Sequence, residues 1–232
     1  MPPRALDPAG VALVDKPAGP SSFAVVSQIR RLTGARTGHA GTLDPFATGL
    51  LLLLSGRATK LTPRLVGLDK RYLTEIDLRT RTSTGDPEGD VVETLEPPDD
   101  ATLEQRLGML RGEIELPIPA ASAVKIGGER AYALARRGVE VAMPLRRSTV
   151  YALEVVSTTD ETVTLDLRVS SGTYIRAIAH ALGGHCLTLR RTAVGPFDIV
   201  DAVAPDAFDP SRLISEADVL ARVGAIAVGS RG

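Results

Sequence analysis

The chain of 232 residues predicts an α+β fold with a mixed, largely antiparallel sheet. Three observations carry this. Short strand-like runs outnumber long helical ones. Two of the alternating runs are joined by a hairpin turn. No repeat, low-complexity tract or clean linker breaks the chain. An apolar content of 44% supplies a substantial core, and the length suits one large domain or one domain with a small appendage.

The elements follow in order. Residues 11–15 form a short apolar run that reads as a buried strand, broken by Lys16-Pro17-Ala18-Gly19-Pro20. Ser21 or Ser22 caps a helix with Val25, Ile29 and Leu32 at helical spacing and Gly34 as its stop. A glycine-rich loop follows. Residues 50–54 are five leucines between Gly49 and Gly56, too few for a helix, and read as a strand. A helix is expected over 58–65. Residues 72–79 alternate, with Tyr72, Thr74, Ile76 and Leu78 on one face.

Beyond that strand, residues 84–90 read as an acidic, solvent-facing loop and 91–95 as a returning strand. Thr102 is expected to cap a helix to about Leu110, and 116–121, with two prolines, to be irregular. Residues 124–126 lead to a Gly127-Gly128 turn and a short helix near 131–137. Residues 149–156 and 162–169 alternate around Thr158-Thr159-Asp160-Glu161, a hairpin. Ser170-Ser171-Gly172-Thr173 opens a helix from Tyr174 to Leu182. A strand over 187–194, a loop over 198–210, a short helix over 214–220 and a frayed tail complete the chain.

The most informative stretch is Thr37-Gly38-His39-Ala40-Gly41-Thr42-Leu43-Asp44-Pro45-Phe46-Ala47-Thr48-Gly49. Its glycines suit a loop shaped for close approach. Pro45 has no N–H and restricts Asp44 to extended or turn geometry. Asp44 therefore sits at the rim of a buried strand. On this stretch alone a turn-capping aspartate is the slightly better reading, because Asp before Pro often plays that part.

Charge is partitioned. The net charge is −1, yet residues 30–71 carry eight basic side chains against Asp44 and Asp69. Residues 85–104 carry eight acids and no Lys or Arg. A basic segment around the Asp44 loop would draw a polyanion through counterion release, although such blocks are more often solvated faces.

Other chemistries are poorly supplied. The single cysteine, Cys186, allows no intrachain disulfide or Cys-rich zinc site and suits a reducing compartment. His39, His180 and His185 make no evident metal site. There is no phosphate-binding loop, dinucleotide fingerprint or nucleophile elbow. Neighbours in a strand point to opposite faces, so His185 and Cys186 are a poor base–nucleophile couple, and Cys186 reads as a core residue. Residues 1–10 contain no long apolar stretch, and 50–54 is too short to cross a membrane. The expectation is a cytoplasmic protein without a membrane segment. A carboxylate is left as the reactive group, with arginine as its natural partner. Arg176 follows a glycine turn at a helix start, where the dipole disfavours a cation; its placement points beyond the helix, with an ordinary surface arginine as the plainer alternative.

Several stretches together resemble the TruB-type tRNA pseudouridine synthases. Residues 38–51, Gly38-His39-Ala40-Gly41-Thr42-Leu43-Asp44-Pro45-Phe46-Ala47-Thr48-Gly49-Leu50-Leu51, look like the family signature. Five further blocks follow the family's order: Val14-Asp15-Lys16-Pro17-Ala18-Gly19 with Ser21-Ser22; Asp69-Lys70-Arg71-Tyr72; Ser122-Ala123-Val124-Lys125; Gly172-Thr173-Tyr174-Ile175-Arg176; and Leu189-Arg190-Arg191-Thr192-Ala193-Val194-Gly195-Pro196-Phe197. The Gly-His-Ala-Gly prefix separates this family from the rRNA-modifying relatives.

The resemblance implies a bent, largely antiparallel pseudouridine-synthase sheet flanked by helices. It also implies isomerisation of uridine 55 in the TΨC loop of tRNA, with no cofactor or metal. Asp44 would be the essential aspartate; attack on the ribose, attack on the base and proton abstraction are all open to it. Arg176 matches the arginine that pairs with that aspartate. Tyr72 matches the aromatic that stacks on the target base, Tyr174 shapes the pocket and Leu189 lines it. His39 matches the residue that fills the space vacated by the flipped base, and Lys16 supports the site from the first strand. The partner is the TΨC stem-loop of tRNA, and the protein is expected to act as a monomer.

Two departures are visible. About 35 residues follow Phe197, fewer than a PUA-type β-barrel needs. Residues 1–200 are therefore assigned to the catalytic domain and 201–232 to a short C-terminal extension without a full PUA-type domain. The segment from Leu182-Gly183 to Leu189 is shorter than the family's, with Ala181 where an Asp is expected. Two other readings stand beside the enzyme: a tRNA-binding or tRNA-folding protein without catalysis, and a pseudouridine synthase with another RNA target.

Overall fold

A computed structural model describes residues 8–122, 124–126, 129–130 and 142–229. The turn expected at 127–128 and the helix expected near 131–137 lie outside the described residues. The chain forms two compact units, one from residues up to Tyr72 together with those from Arg190 onward, the other from Leu73 to Leu189.

In the first unit β1 (Gly10–Lys16) runs antiparallel to β3 (Thr48–Ser55), in register from Gly10 opposite Ser55 to Lys16 opposite Gly49. The short β2 (Thr37–His39) pairs with the far end of β3, His39 lying opposite Leu53. Leu50 to Leu54 are all fully buried, which is why this strand reads as an unbroken apolar run rather than an alternating one. Leu50, Leu52 and Leu54 join Val11, Leu13, Ala58, Leu65, Val194, Phe197 and Val219 in one cluster. Each such leucine contributes about 1.5–3 kcal/mol of burial.

Helix α1 (Ser22–Thr33) packs against β2 and β3. Ser21 is its cap, accepting from the Ala24 N–H, and Gly34 closes it at φ +65°. Val25, Val26, Ile29 and Thr33 are its buried stripe. The helix expected over 58–65 is instead a 3₁₀ turn, Gly56–Leu61, followed by α2 (Thr62–Val66). Pro63 explains the break. With no N–H to give, it fits the first turn of a new helix and not the interior of a longer one.

Strand β4 (Lys70–Asp77) carries the chain into the second unit. Its buried positions are Lys70, Tyr72, Thr74 and Ile76, the face that alternation predicts. There follow β5 (Thr80–Thr82), β6 (Val91–Thr94), α3 (Asp100–Met109), β7 (Gly112–Pro117), β8 (Lys125–Ile126), β9 (Glu129–Arg130), β10 (Leu145–Thr158), β11 (Thr162–Val169), α4 (Ile175–Leu182) and β12 (His185–Val194). Within this unit the strand order is β12, β4, β11, β10, β7. β10 and β11 form the expected hairpin, and β5 pairs with β6.

Two expectations in this unit are corrected. Asp99, not Thr102, caps α3: its carboxylate accepts from the Thr102 N–H at 2.7 Å. The stretch expected to be irregular starts in a strand, β7, whose residues 112–117 pair with 145–150. Pro117 misled the sequence reading because it stands at the end of an edge strand, a place where a missing N–H is tolerated.

β12 returns the chain to the first unit, where Arg190 and Arg191 pair in parallel with Thr48 and Gly49. After β13 (Phe197–Asp198), bridges from Val203 to Val14 and from Ile214 to Val11 tie the chain to β1. It ends in α5 (Glu216–Gly229), longer than the helix expected over 214–220. Among the described residues no helix is long and apolar enough to cross a membrane. Nor does any group of His, Cys, Asp and Glu among them suit a metal ion.

Candidate active site

The loop from β2 to β3 presents Asp44, which is half-buried. Three neighbours hold the loop. Lys16, at the end of β1, has 0% exposure. Its Nζ donates to the carbonyls of Pro45 at 3.0 Å, Ala47 at 2.6 Å and Pro17 at 2.9 Å. An ammonium so deep is costly unless it is hydrogen-bonded, and these charge-assisted bonds meet that cost while fixing the backbone just after Asp44. Ser22 works just before it: its Oγ accepts from the Leu43 N–H at 2.8 Å and donates to the Leu43 carbonyl at 2.9 Å. The Gly19 N–H donates to the Pro45 carbonyl at 2.9 Å.

Arg191 braces the loop from beneath. Its guanidinium, in a residue only 1% exposed, donates to the carbonyls of Leu50 at 2.7 Å, Gly41 at 3.1 Å and Thr42 at 3.4 Å. Gly49 makes room for the Arg191 backbone. It holds φ +104°, and a Cβ there would meet the Arg191 carbonyl oxygen at 2.3 Å. Only glycine serves at such a contact.

That buried cation acts on its neighbours. His39, at the end of β2, is held below its ordinary pKa of 6.5 by burial and then by Arg191, and among the described residues its buried Nδ1 has no hydrogen-bond partner. Lys70 is buried, and its amine donates to the carbonyls of Val66 and Leu68. Burial first and Arg191 second lower its pKa to about 8, against an opposing pull from Asp69. Tyr72 follows on the same face of β4, 8% exposed. The first unit thus gathers Lys16, His39 and Asp44 around one loop.

The second unit holds Tyr174, Arg176 and Leu189. Tyr174 is the N-cap residue of α4, and its carbonyl accepts from the N–H groups of Ala177 and Ile178. Leu189 is buried in β12. Arg176, in the first turn of α4, is 4% exposed. It donates to the carbonyls of Thr84 at 2.7 Å and Ala121 at 3.0 Å, and lies 3.5 Å from the Asp86 carboxylate. Asp86 also accepts from the Thr84 hydroxyl and the Glu88 N–H.

The acidic loop is therefore not wholly solvent-facing, as its composition suggests, because Asp86 is 4% exposed. The adverse helix-start position of Arg176 is offset by this buried carboxylate.

Sequence reasoning gave four residues here no site role: Asp86, and Ser22, Lys70 and Arg191, which stand in the motif blocks. Arg191 could have been found. Leu189 and Arg191 share the inward face of β12, so an arginine stands where a strand pattern calls for an apolar residue. Asp86 gave no comparable signal among its acidic neighbours.

Comparison with known proteins bears on the same stretches. The family model described as TruB family pseudouridylate synthase (N terminal domain) matches residues 30–175. The chain is 42% identical to the tRNA pseudouridine synthase B of Corynebacterium jeikeium, with 94% of this chain and 77% of that one covered. It is 46% identical to that of Mycobacterium sp. (strain KMS), with 90% and 75% covered.

Among solved structures, a Cbf5–Nop10–Gar1 complex matches at 30% identity and TM-score 0.62, covering 85% of this chain and 55% of that one. An H/ACA RNP bound to a substrate RNA containing 2′-deoxyuridine matches at 26% and 0.63, with 88% and 53% covered. The chain spans about half the length of those solved chains. The family match includes the braced Asp44 loop, Asp86 and the start of α4, and the relatives extend it over nine-tenths of the sequence: this chain belongs to the TruB family of pseudouridylate synthases.

Proposed function

We propose that this protein is a tRNA pseudouridine synthase that isomerises uridine 55 in the TΨC loop. The supporting observation is the Asp44 loop. A half-exposed carboxylate stands on a backbone held by Lys16, Ser22 and Arg191, the fixed placement that a reacting group needs. Relatives that carry the name tRNA pseudouridine synthase B support the substrate class.

In the reaction the N1–C1′ bond of uridine breaks, the base turns, and a C5–C1′ bond forms. C5 loses a proton and N1 gains one, so the product is an isomer and no redox partner enters. The uridine must first leave its stack, at a cost of a few kcal/mol, of which a stacked tyrosine returns about 1–3 kcal/mol. In this reading Asp44 is the essential aspartate and Arg176 the arginine that serves it. Tyr72 stacks on the target base, while Tyr174 and Leu189 shape its pocket. His39, kept neutral near pH 7 by burial and Arg191, enters the space that the base leaves. The enzyme works in the cytoplasm as a monomer on tRNA.

The test is to incubate the protein with unmodified tRNA transcript and map pseudouridine. Modification at position 55 alone is expected. Modification elsewhere would transfer the activity to another RNA target, and none at all would favour a binding protein.

A further inference from the structure

Helix α1 carries a side chain that the reaction above does not use. Phe23 is 74% exposed in a chain with four Phe and no Trp. Single exposed apolar residues are ordinary on protein surfaces and by themselves mean nothing. Two observations set this one apart.

The first is where it stands. Its neighbour Ser22 is hydrogen-bonded to both backbone groups of Leu43, next to Asp44. The helix start that carries Phe23 is therefore tied, one residue away, to the loop that presents the carboxylate. The second is the company on its face. Ser27, Arg30 and Arg31 follow at helical spacing, both arginines are exposed, and α1 contains no acid. Arg36, just beyond the helix, is exposed as well. The arginines also complement the C-terminal end of the helix dipole, but that accounts for neither the phenylalanine nor the missing acids. At 1.5 Å per residue the cations lie about 10–12 Å along the helix from the ring. A flat apolar ring followed by cations at that range suits single-stranded nucleic acid, whose bases stack and whose phosphates seek positive charge.

We propose that the Phe23–Arg30–Arg31 face of α1 docks substrate RNA: Phe23 stacks on an unpaired base other than the uridine being isomerised, and the arginines take backbone phosphates. This rests on the reading of the protein as a tRNA pseudouridine synthase.

The experiment uses the full chain and unmodified tRNA transcript. Phe23→Ala should weaken tRNA binding by about 5- to 150-fold, the range for one stacked base, with the loss appearing in KM and not in the rate at saturation. Phe23→Trp installs the chain's only tryptophan; it should keep affinity near wild type, and its fluorescence should be quenched on adding tRNA. Replacing Arg30 and Arg31 by Ala should reduce the slope of log Kd against log salt by roughly one to two. Val200→Ala, which removes another strongly exposed apolar side chain, should leave binding unchanged.

Wild-type affinity in Phe23→Ala with no quenching in Phe23→Trp overturns the inference. So does a lower saturated rate at unchanged affinity, which would mean that Phe23 acts through the Asp44 loop. Intact tRNA affinity with loss of self-association in Phe23→Ala would assign the face to a protein and also overturn it. Wild-type protein run in parallel separates the two readings: if it forms no pseudouridine, the proposed function fails, and if it does while Phe23→Ala binds normally, only this inference fails.

Discussion

The Arg176 guanidinium lies 3.5 Å from the Asp86 carboxylate, and both side chains are buried in the second unit. The pair also organises its surroundings, since Arg176 holds the Thr84 carbonyl and Asp86 the Thr84 hydroxyl. Removing one partner of a buried pair leaves an uncompensated charge, at about 3–5 kcal/mol. Asp86→Ala should lower stability by that order in denaturant unfolding. It should also lower kcat at least tenfold, because the freed arginine loses its fixed position. Asp86→Asn keeps the shape and some hydrogen bonding and should lose less stability than Asp86→Ala.

Arg191 makes three bonds to backbone carbonyls under and beside the Asp44 loop. Arg191→Met keeps much of the volume and deletes those donors. Each orphaned carbonyl costs about 1–3 kcal/mol where water cannot reach it. The loop should loosen, and kcat should fall by about 10²-fold or more, as for other small misplacements of a reacting group, with tRNA affinity changed less. Single-turnover kinetics beside a binding titration reads both. Because Arg191 also depresses His39, the imidazole pKa should rise in this variant, as followed by NMR.

Gly49→Ala is predicted to be among the most damaging single-methyl changes in the chain. The position holds φ +104°, and the new Cβ would sit 2.3 Å from the Arg191 carbonyl oxygen. Neither atom is the end of a flexible side chain. A loss of more than about 3 kcal/mol, or failure to fold, is expected from strain and forced separation of the strands. Thermal unfolding of soluble variant against wild type checks it.

Lys70 gives the protein a pH signature. Its pKa in the fold is about 8, below the ordinary 10.5. The unfolded chain therefore binds more protons between those two values, and stability must rise with pH across that window. Comparing wild type with Lys70→Met isolates the effect. The difference in unfolding free energy should be flat below about pH 8 and move in favour of wild type from pH 8 to 10.5. His39 works in the same sense lower down: its folded pKa lies below 6.5, so its contribution is present above pH 6.5 and is lost as the pH falls beneath it.

Much of this was legible from residue order. The Ser21-to-Gly34 helix and the hairpin over 149–169 were visible because each shows one period between clear stops, and the five-leucine strand because a short unbroken apolar run stands between two glycines. The Asp44 loop was visible because glycine and proline mark backbone that has no alternative. The buried polar network was not. Asp86 looks like any residue of an acidic run until the fold brings Arg176, ninety positions later, against it. Lys16 could be placed near the site, but its bonds to the Pro45 and Ala47 carbonyls depend on how a distant loop turns. Periodicity reports which face is inside; it does not report which charge will be met there.

The central claim is that Asp44 carries the chemistry on a loop built to hold it. Asp44→Asn changes one oxygen to an amide and leaves the bonds to Leu43, Pro45 and Ala47 in place. Pseudouridine should be measured in unmodified tRNA transcript after incubation with this variant at saturating enzyme, with tRNA binding titrated in parallel. The account predicts no pseudouridine at position 55 and an affinity within a fewfold of wild type. Pseudouridine formed at the wild-type rate would contradict it.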